Sequence, residues 1–421
     1  MPEILRKTLK NGLLVIAEKR PNTEGMVSIH IGVKVGSSYE DAKNQGIFHL
    51  IEHLAFKSQG KRNFEEIIKN FEHNGICFNG GTASNIIDFE AEAPCEHLSL
   101  AIEELYRAVK NLKYNLEEVK REKKQILGEI SSLKDTPMES CADSFFSVLF
   151  QGTSFARSIL GTSRSIKKLS RRKIVNFKNI YFRPNNMVIA VCGKFDEREL
   201  FRVIKKTFGR LRRRQVSLPE IKIPEPKNYS RISVLKRRKG ITSSYLAFGY
   251  LTPAFNHPDA PKLILLNSIL CNGLSSKLYL KLMQARGLGY TLEGDVENLG
   301  DFSVFYFDIQ IGNPKRFLEA KRLILEEIKK VRSAPLEDIE GYKSWLISQL
   351  KRDLASIDYR AEEFLDGEVE NWSFDFRRLP EIISKITAQE IQEAAQKYLT
   401  DDYTLVALVP WGFRIRKKHK E

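Results

Sequence analysis

The same order of elements occurs twice in this chain, once on each side of a charged, proline-dotted stretch, and that repetition limits the folds open to it. In the first half, strands near Val27 to Val35 and Phe89 to Ala93 accompany long helices, and a helix over Lys173 to Tyr181 and a strand over Met187 to Cys192 close the half. The second half repeats this with strands near Ser244 to Tyr250 and Phe302 to Ile311, then a helix over Ala388 to Tyr398 and a strand over Tyr403 to Val409. Between them, Gly209 to Arg214 and the prolines 219, 224 and 226 follow neither a helical nor an alternating period. The expectation is an α+β protein of two similar domains, residues 1–210 and 230–421, each a mostly antiparallel sheet packed with helices and joined by a linker at 211–229. A chain of 421 residues is long enough for two separate cores.

Composition excludes some classes. No run approaches the ~20 consecutive apolar residues of a membrane-spanning helix, so no membrane is expected. The five cysteines (Cys77, Cys95, Cys141, Cys192, Cys271) are scattered and never form Cys-x-x-Cys, which argues against a disulfide framework or thiolate zinc site and suits a reducing cytoplasm. The start shows no charged-then-apolar export signal. The formal charge of +15 is carried partly by runs at Arg164 to Lys173, Arg210 to Arg214 and Arg414 to Lys420. No nucleic-acid-binding motif accompanies them, so a solvated surface is the simpler reading.

The chemistry is concentrated between Gly46 and Lys57. Ile47, Leu50, Ile51 and Leu54 form an apolar stripe of helical period, while His49, Glu52, His53 and Phe56 repeat the spacing on the other side. Two imidazoles one turn apart can reach one Zn²⁺, and the neighbouring carboxylate can take a proton from water as a general base. Such a site needs a third protein ligand. The helix opening at Asn115, with Glu118 three residues on, buries Val119, Ile126, Ile130 and Leu133 and carries Glu122 and Glu129 along the edge of that stripe. Carboxylates beside a buried face are costly unless paired or metal-bound, so one or both serve a site.

With these residues in place, the sequence resembles the pitrilysin/insulinase family of zinc metallopeptidases (inverzincins), whose mark is the order His-x-x-Glu-His, and most closely its short two-domain members related to mitochondrial processing peptidase. Further stretches carry the likeness: Leu9 to Leu13, Val35-Gly36-Ser37 with Glu40 and Gly46, and Arg183 to Met187 before the strand ending at Gly193. In that family the zinc-ligand Glu lies about 76 positions beyond the second His, which selects Glu129 and leaves Glu122 as its companion acid. The resemblance also implies that Asn79, Gly80, Gly81 and Thr82 line a strand that pairs with extended peptide. It makes Tyr290 a group that touches substrate, while the family's arginine position falls on Met283, with Arg286 three residues further on.

The resemblance therefore implies a zinc-dependent endopeptidase that hydrolyses short or unfolded peptides, with His49, His53 and Glu129 as metal ligands, Glu52 as base and Tyr290 steadying the oxyanion. The family encloses its zinc between two domain pairs, and this chain supplies one pair. A homodimer with a shared active site is expected. The alternatives are a non-catalytic structural or assembly subunit on the same fold, or an anion- or nucleic-acid-binding protein driven by the positive charge.

Overall fold

A computed structural model describes residues 4–57, 62–221, 232–372 and 375–414. The chain forms two compact units. The first takes in residues 1–131, 157–222 and 352–371, the second 132–156, 223–351 and 372–421.

In the first unit, strands β1 (Ile4–Thr8), β2 (Leu14–Lys19), β3 (Met26–Val33), β4 (Cys77–Thr82), β5 (Ile87–Pro94) and β6 (Met187–Gly193) form a sheet in the order β1-β2-β6-β3-β5-β4. Only β2 and β6 run parallel. The central strands β3 and β6 are buried along almost their whole length, as near-continuous apolar runs demand, whereas β5 alternates buried Ile87, Phe89, Ala91 and Ala93 with Asp88, Glu90 and Glu92. One face of the sheet carries the main core, which the apolar stripe of the helix Ile47–Ala55 and the helix Leu98–Lys110 help to fill. The other face is covered by the helix Ile357–Val369, whose Ile357, Ala361 and Leu365 meet Ile16, Val188, Ala190 and Cys192. Arg360 of that helix is fully buried and pairs with Glu18 at 2.6 Å and with Glu363.

In the second unit, β7 (Ile232–Arg238), β8 (Ser244–Pro253), β9 (Gly289–Asn298), β10 (Phe302–Ile311) and β11 (Thr404–Pro410) form a sheet in the order β7-β11-β8-β10-β9, with β7 and β11 parallel. The helix Pro137–Leu149 lies on one face, where the Cys141 thiol donates to Tyr245 O at 3.4 Å. The helix Ala260–Cys271 is apolar on nearly all sides and is buried accordingly.

Both sheets are mostly antiparallel with one parallel pair, so the α+β architecture and its repetition are as the sequence reads. The compact units are not contiguous halves at 210 and 230, because each takes one helix from the other half of the chain. The reason is that a sheet buried on both faces needs cover on both, and the stripes of Pro137–Leu149 and Ile357–Val369 supply the second cover. Residues 211–221 contain neither helix nor strand, in keeping with a linker, while 222–229 and the basic tail beyond Arg414 lie outside the described residues, as do residues 1–3. All five cysteines are free, and no described helix is long and apolar enough to cross a membrane.

Candidate metal centre

The helix Ile47–Ala55 begins at Gly46, whose φ of 79° is a left-handed conformation that glycine adopts without strain. A Cβ there would also stand 2.7 Å from Leu160 O. The Glu40 carboxylate accepts from the Gly46 and Phe48 amides at 2.7 and 3.0 Å, satisfying donors that the first turn leaves open. Burial pushes Glu40 up to about 8, although those amide donors pull the other way. The sequence singled out Glu40 only through its resemblance; the structure gives it this task at the helix start.

Ile47, Leu50, Ile51 and Leu54 are fully buried, which fixes the rotation of the helix and leaves His49, Glu52 and His53 on its partly open side. Phe56 does not join them. It packs against Phe71, Phe78 and Phe89, because the helix ends at Ala55 and the chain turns the ring into the core. The two imidazoles stand with ring centroids 4.5 Å apart. Their Nε2 atoms both face the Glu129 carboxylate, His49 at 3.0 Å from Oε2 and His53 at 3.5 Å from Oε1. Asn115 caps the second helix as expected, its Oδ1 accepting from Glu117 N while Glu118 accepts from Asn115 N.

Glu122, only 1% exposed, lies 3.4 Å from His53 Nδ1 and 3.4 Å from Lys57 Nζ. Burial alone would raise its pKa, but His53, Lys57 and Arg121 outweigh it and hold the carboxyl below its ordinary value. Lys57 went unnoticed in the sequence as part of this site; its spacing of four from His53 is the signal that points to it. Glu52 Oε2 is 3.1 Å from His49 Nδ1, an ion-pair distance. Burial pulls the His49 pKa down, and the Glu52 and Glu129 carboxylates more than reverse this.

Strand β4 is an edge of its sheet and runs past this group. Phe78, Gly80 and Thr82 share the face of Glu52: the Thr82 hydroxyl is 3.5 Å from Glu52 Oε2, and the space above Gly80 opens on the Glu52 side chain. Asn79 and Gly81 point to the opposite face, where Asn79 bonds Glu90. Of the anticipated strand residues, the structure thus brings Gly80 and Thr82 to Glu52 and turns Asn79 and Gly81 away. Tyr290 lies in the other unit, on the edge strand β9, and is 81% exposed. Met283 is buried and Arg286 exposed.

Family models match the chain in sequence order, the insulinase family M16 over residues 14–163 and the domain described as peptidase M16 inactive domain over 168–344. The chain belongs to the M16 (pitrilysin/insulinase) family. An uncharacterized zinc protease of Rickettsia felis is 26% identical over 96% of this chain and 97% of its own length. A zinc protease of Helicobacter pylori is 27% identical over 87% of this chain and 85% of its own. Among solved structures, a protease from Helicobacter pylori superposes with a TM-score of 0.90 at 24% identity, covering 97% of this chain and all of that one. The peptidase M16 inactive domain from Pseudomonas fluorescens gives 0.88 at 16%, covering 99% and 100%. In this M16 chain His49, Glu52, His53, Glu122 and Glu129 fall within the first matched segment and Tyr290 within the second. The donor set fits a metal: two imidazoles and a carboxylate are a ligand combination of catalytic zinc, and the carboxylates of Glu52, Glu122 and Glu129 cluster around them.

Proposed function

We propose that this chain is a zinc-dependent endopeptidase that hydrolyses short or unfolded peptides as a homodimer. The observation that carries the reading is the convergence of His49 Nε2 and His53 Nε2 on Glu129, with Glu52 beside them and an edge strand within reach. His49, His53 and Glu129 would hold the ion, and zinc supplies Lewis acidity towards the scissile carbonyl and towards water.

Every other part belongs to the polypeptide. Glu52 takes the proton of the attacking water and returns it to the leaving amine, within reach of the Thr82 hydroxyl. Glu122 faces His53 Nδ1 and orients the ring, so that Nε2 stays directed at Glu129. The free edge of β4 takes an extended peptide as an added strand through main-chain hydrogen bonds, which accept many sequences. Tyr290 of the partner subunit donates to the developing oxyanion.

The test is metal analysis of the purified chain together with peptide cleavage. One zinc per chain and hydrolysis that a chelator abolishes support the reading. Protein that binds no zinc under metal-replete conditions would instead be a structural subunit on the same fold.

A further inference from the structure

The second unit contains a cavity of about 560 Å³, a volume within the ~300–1,000 Å³ usual for small-molecule sites. Tyr250 of β8 is among the residues that line it. The residue is 2% exposed, yet its hydroxyl has no hydrogen-bond partner among the described residues. An unmet buried hydroxyl is a cost that a fold does not ordinarily leave unanswered.

The wall is formed by the helix Phe317–Ser333, which sets Leu325, Ile328, Lys329 and Arg332 at helical spacing. An apolar patch therefore stands beside two cations. Arg332 and Tyr250 line the same cavity, and the Arg332 charge acts on the phenol against the upward push of burial. In this structure Arg332 contacts Asp401 at 3.3 Å, but that carboxylate is 94% exposed. A pair so screened contributes little, and an entering anion can replace it.

We infer that this cavity binds a small organic anion. Its oxyanion group is held by Arg332 and Lys329, an acceptor oxygen takes the Tyr250 hydroxyl, and its carbon body lies on Leu325 and Ile328. Phosphate esters and carboxylates share this chemistry, and a probe of each kind separates them. The inference is independent of the metal centre.

The experiment is calorimetric titration of the full chain with inorganic phosphate and, separately, with glutarate, each against chloride at matched ionic strength. One site per chain is expected for at least one probe. Binding of phosphate alone assigns a phosphate ligand, and binding of glutarate alone a carboxylate. Arg332→Gln should weaken the productive probe ~10-fold or more, the ordinary worth of a charged hydrogen bond. Tyr250→Phe should weaken it several-fold while melting at the same temperature as the parent or higher, since the hydroxyl it removes has nothing to lose in the free protein. No binding above the chloride control, unchanged binding in either variant, or a Tyr250→Phe protein that melts lower in the absence of probe each overturns the inference.

Discussion

Gly80 approaches Glu52 so closely that a methyl group placed on it would stand 3.2 Å from Glu52 Cγ and 3.4 Å from Oε1. On the proposed reading, the glycine keeps room for the carboxylate to turn towards water and substrate. Gly80→Ala fits the strand backbone, so the variant should fold with ordinary stability and bind metal like the parent. Its kcat/KM should fall by up to ~100-fold, because a small displacement of a reacting group is costly. Unchanged turnover in metal-replete Gly80→Ala would show that Glu52 does not use this space.

Glu52→Gln removes the proposed proton acceptor and leaves both imidazoles in place. It should retain zinc and lose hydrolysis. The measurement is zinc content and peptide turnover on the same preparation, and cleavage at the parental rate would remove Glu52 as the base.

The ligand assignment makes a different demand. His49→Ala, His53→Ala and Glu129→Gln should each lose metal, since each takes away one of three protein donors. Glu122→Gln should weaken metal binding or activity by only ~10–100-fold, as expected of a group that positions a ligand. Competition with a chelator ranks the four variants. If Glu122→Gln loses zinc and Glu129→Gln does not, the two acids exchange roles.

A shared site in a homodimer can be tested by mixing. Glu52→Gln and Tyr290→Phe proteins, each inactive alone, should regain activity once their subunits exchange, because one of the two sites in a mixed dimer keeps both residues. Confirmed exchange without recovery, or a monomer at working concentration, would count against the shared site.

A pH test addresses the fold. His30 is fully buried in β3, with Nδ1 2.6 Å from Asp88 Oδ2 and Nε2 3.0 Å from Asp358 Oδ1, so both nitrogens face carboxylate oxygens. Burial pulls its pKa down, but the Asp88 and Asp358 carboxylates raise it well above 6.5, while the His30 hydrogen bond holds Asp358 low. The His30 contribution is thus fully present below its unfolded value near 6.5 and is lost as pH rises through the folded value. His30→Gln should destabilise the fold at pH 6, where the charged ring is held by Asp88 and by the half-exposed Asp358, and destabilise it less at pH 9. Denaturant unfolding at the two pH values gives the comparison; a pH-independent difference would mean that the ring is held neutral.

The sequence alone determined what depends on neighbours along one helix. Helical period places His49, Glu52 and His53 on one side of a buried stripe, and the Asn115 cap starts the helix that carries Glu122 and Glu129, because both patterns are set by residues three and four apart. Spacing within the resemblance picks Glu129 rather than Glu122 as the ligand; in the fold both acids face the imidazoles, Glu129 at the two Nε2 atoms and Glu122 at His53 Nδ1.

Tertiary structure decided what depends on register and on distant chain. A glycine pair shows no face of its own, so pairing of Gly80 with Phe89 across β5 turned Gly80 to Glu52 and its neighbours away; Phe78, two residues earlier and half-buried against Phe56 and Phe71, was the one local sign of that phase. The helices that cover the far sheet faces are likewise not assigned by local pattern. An apolar stripe such as Ile357, Ala361 and Leu365 states only that a face will be buried, and the surface left open by the opposite half of the chain determines where.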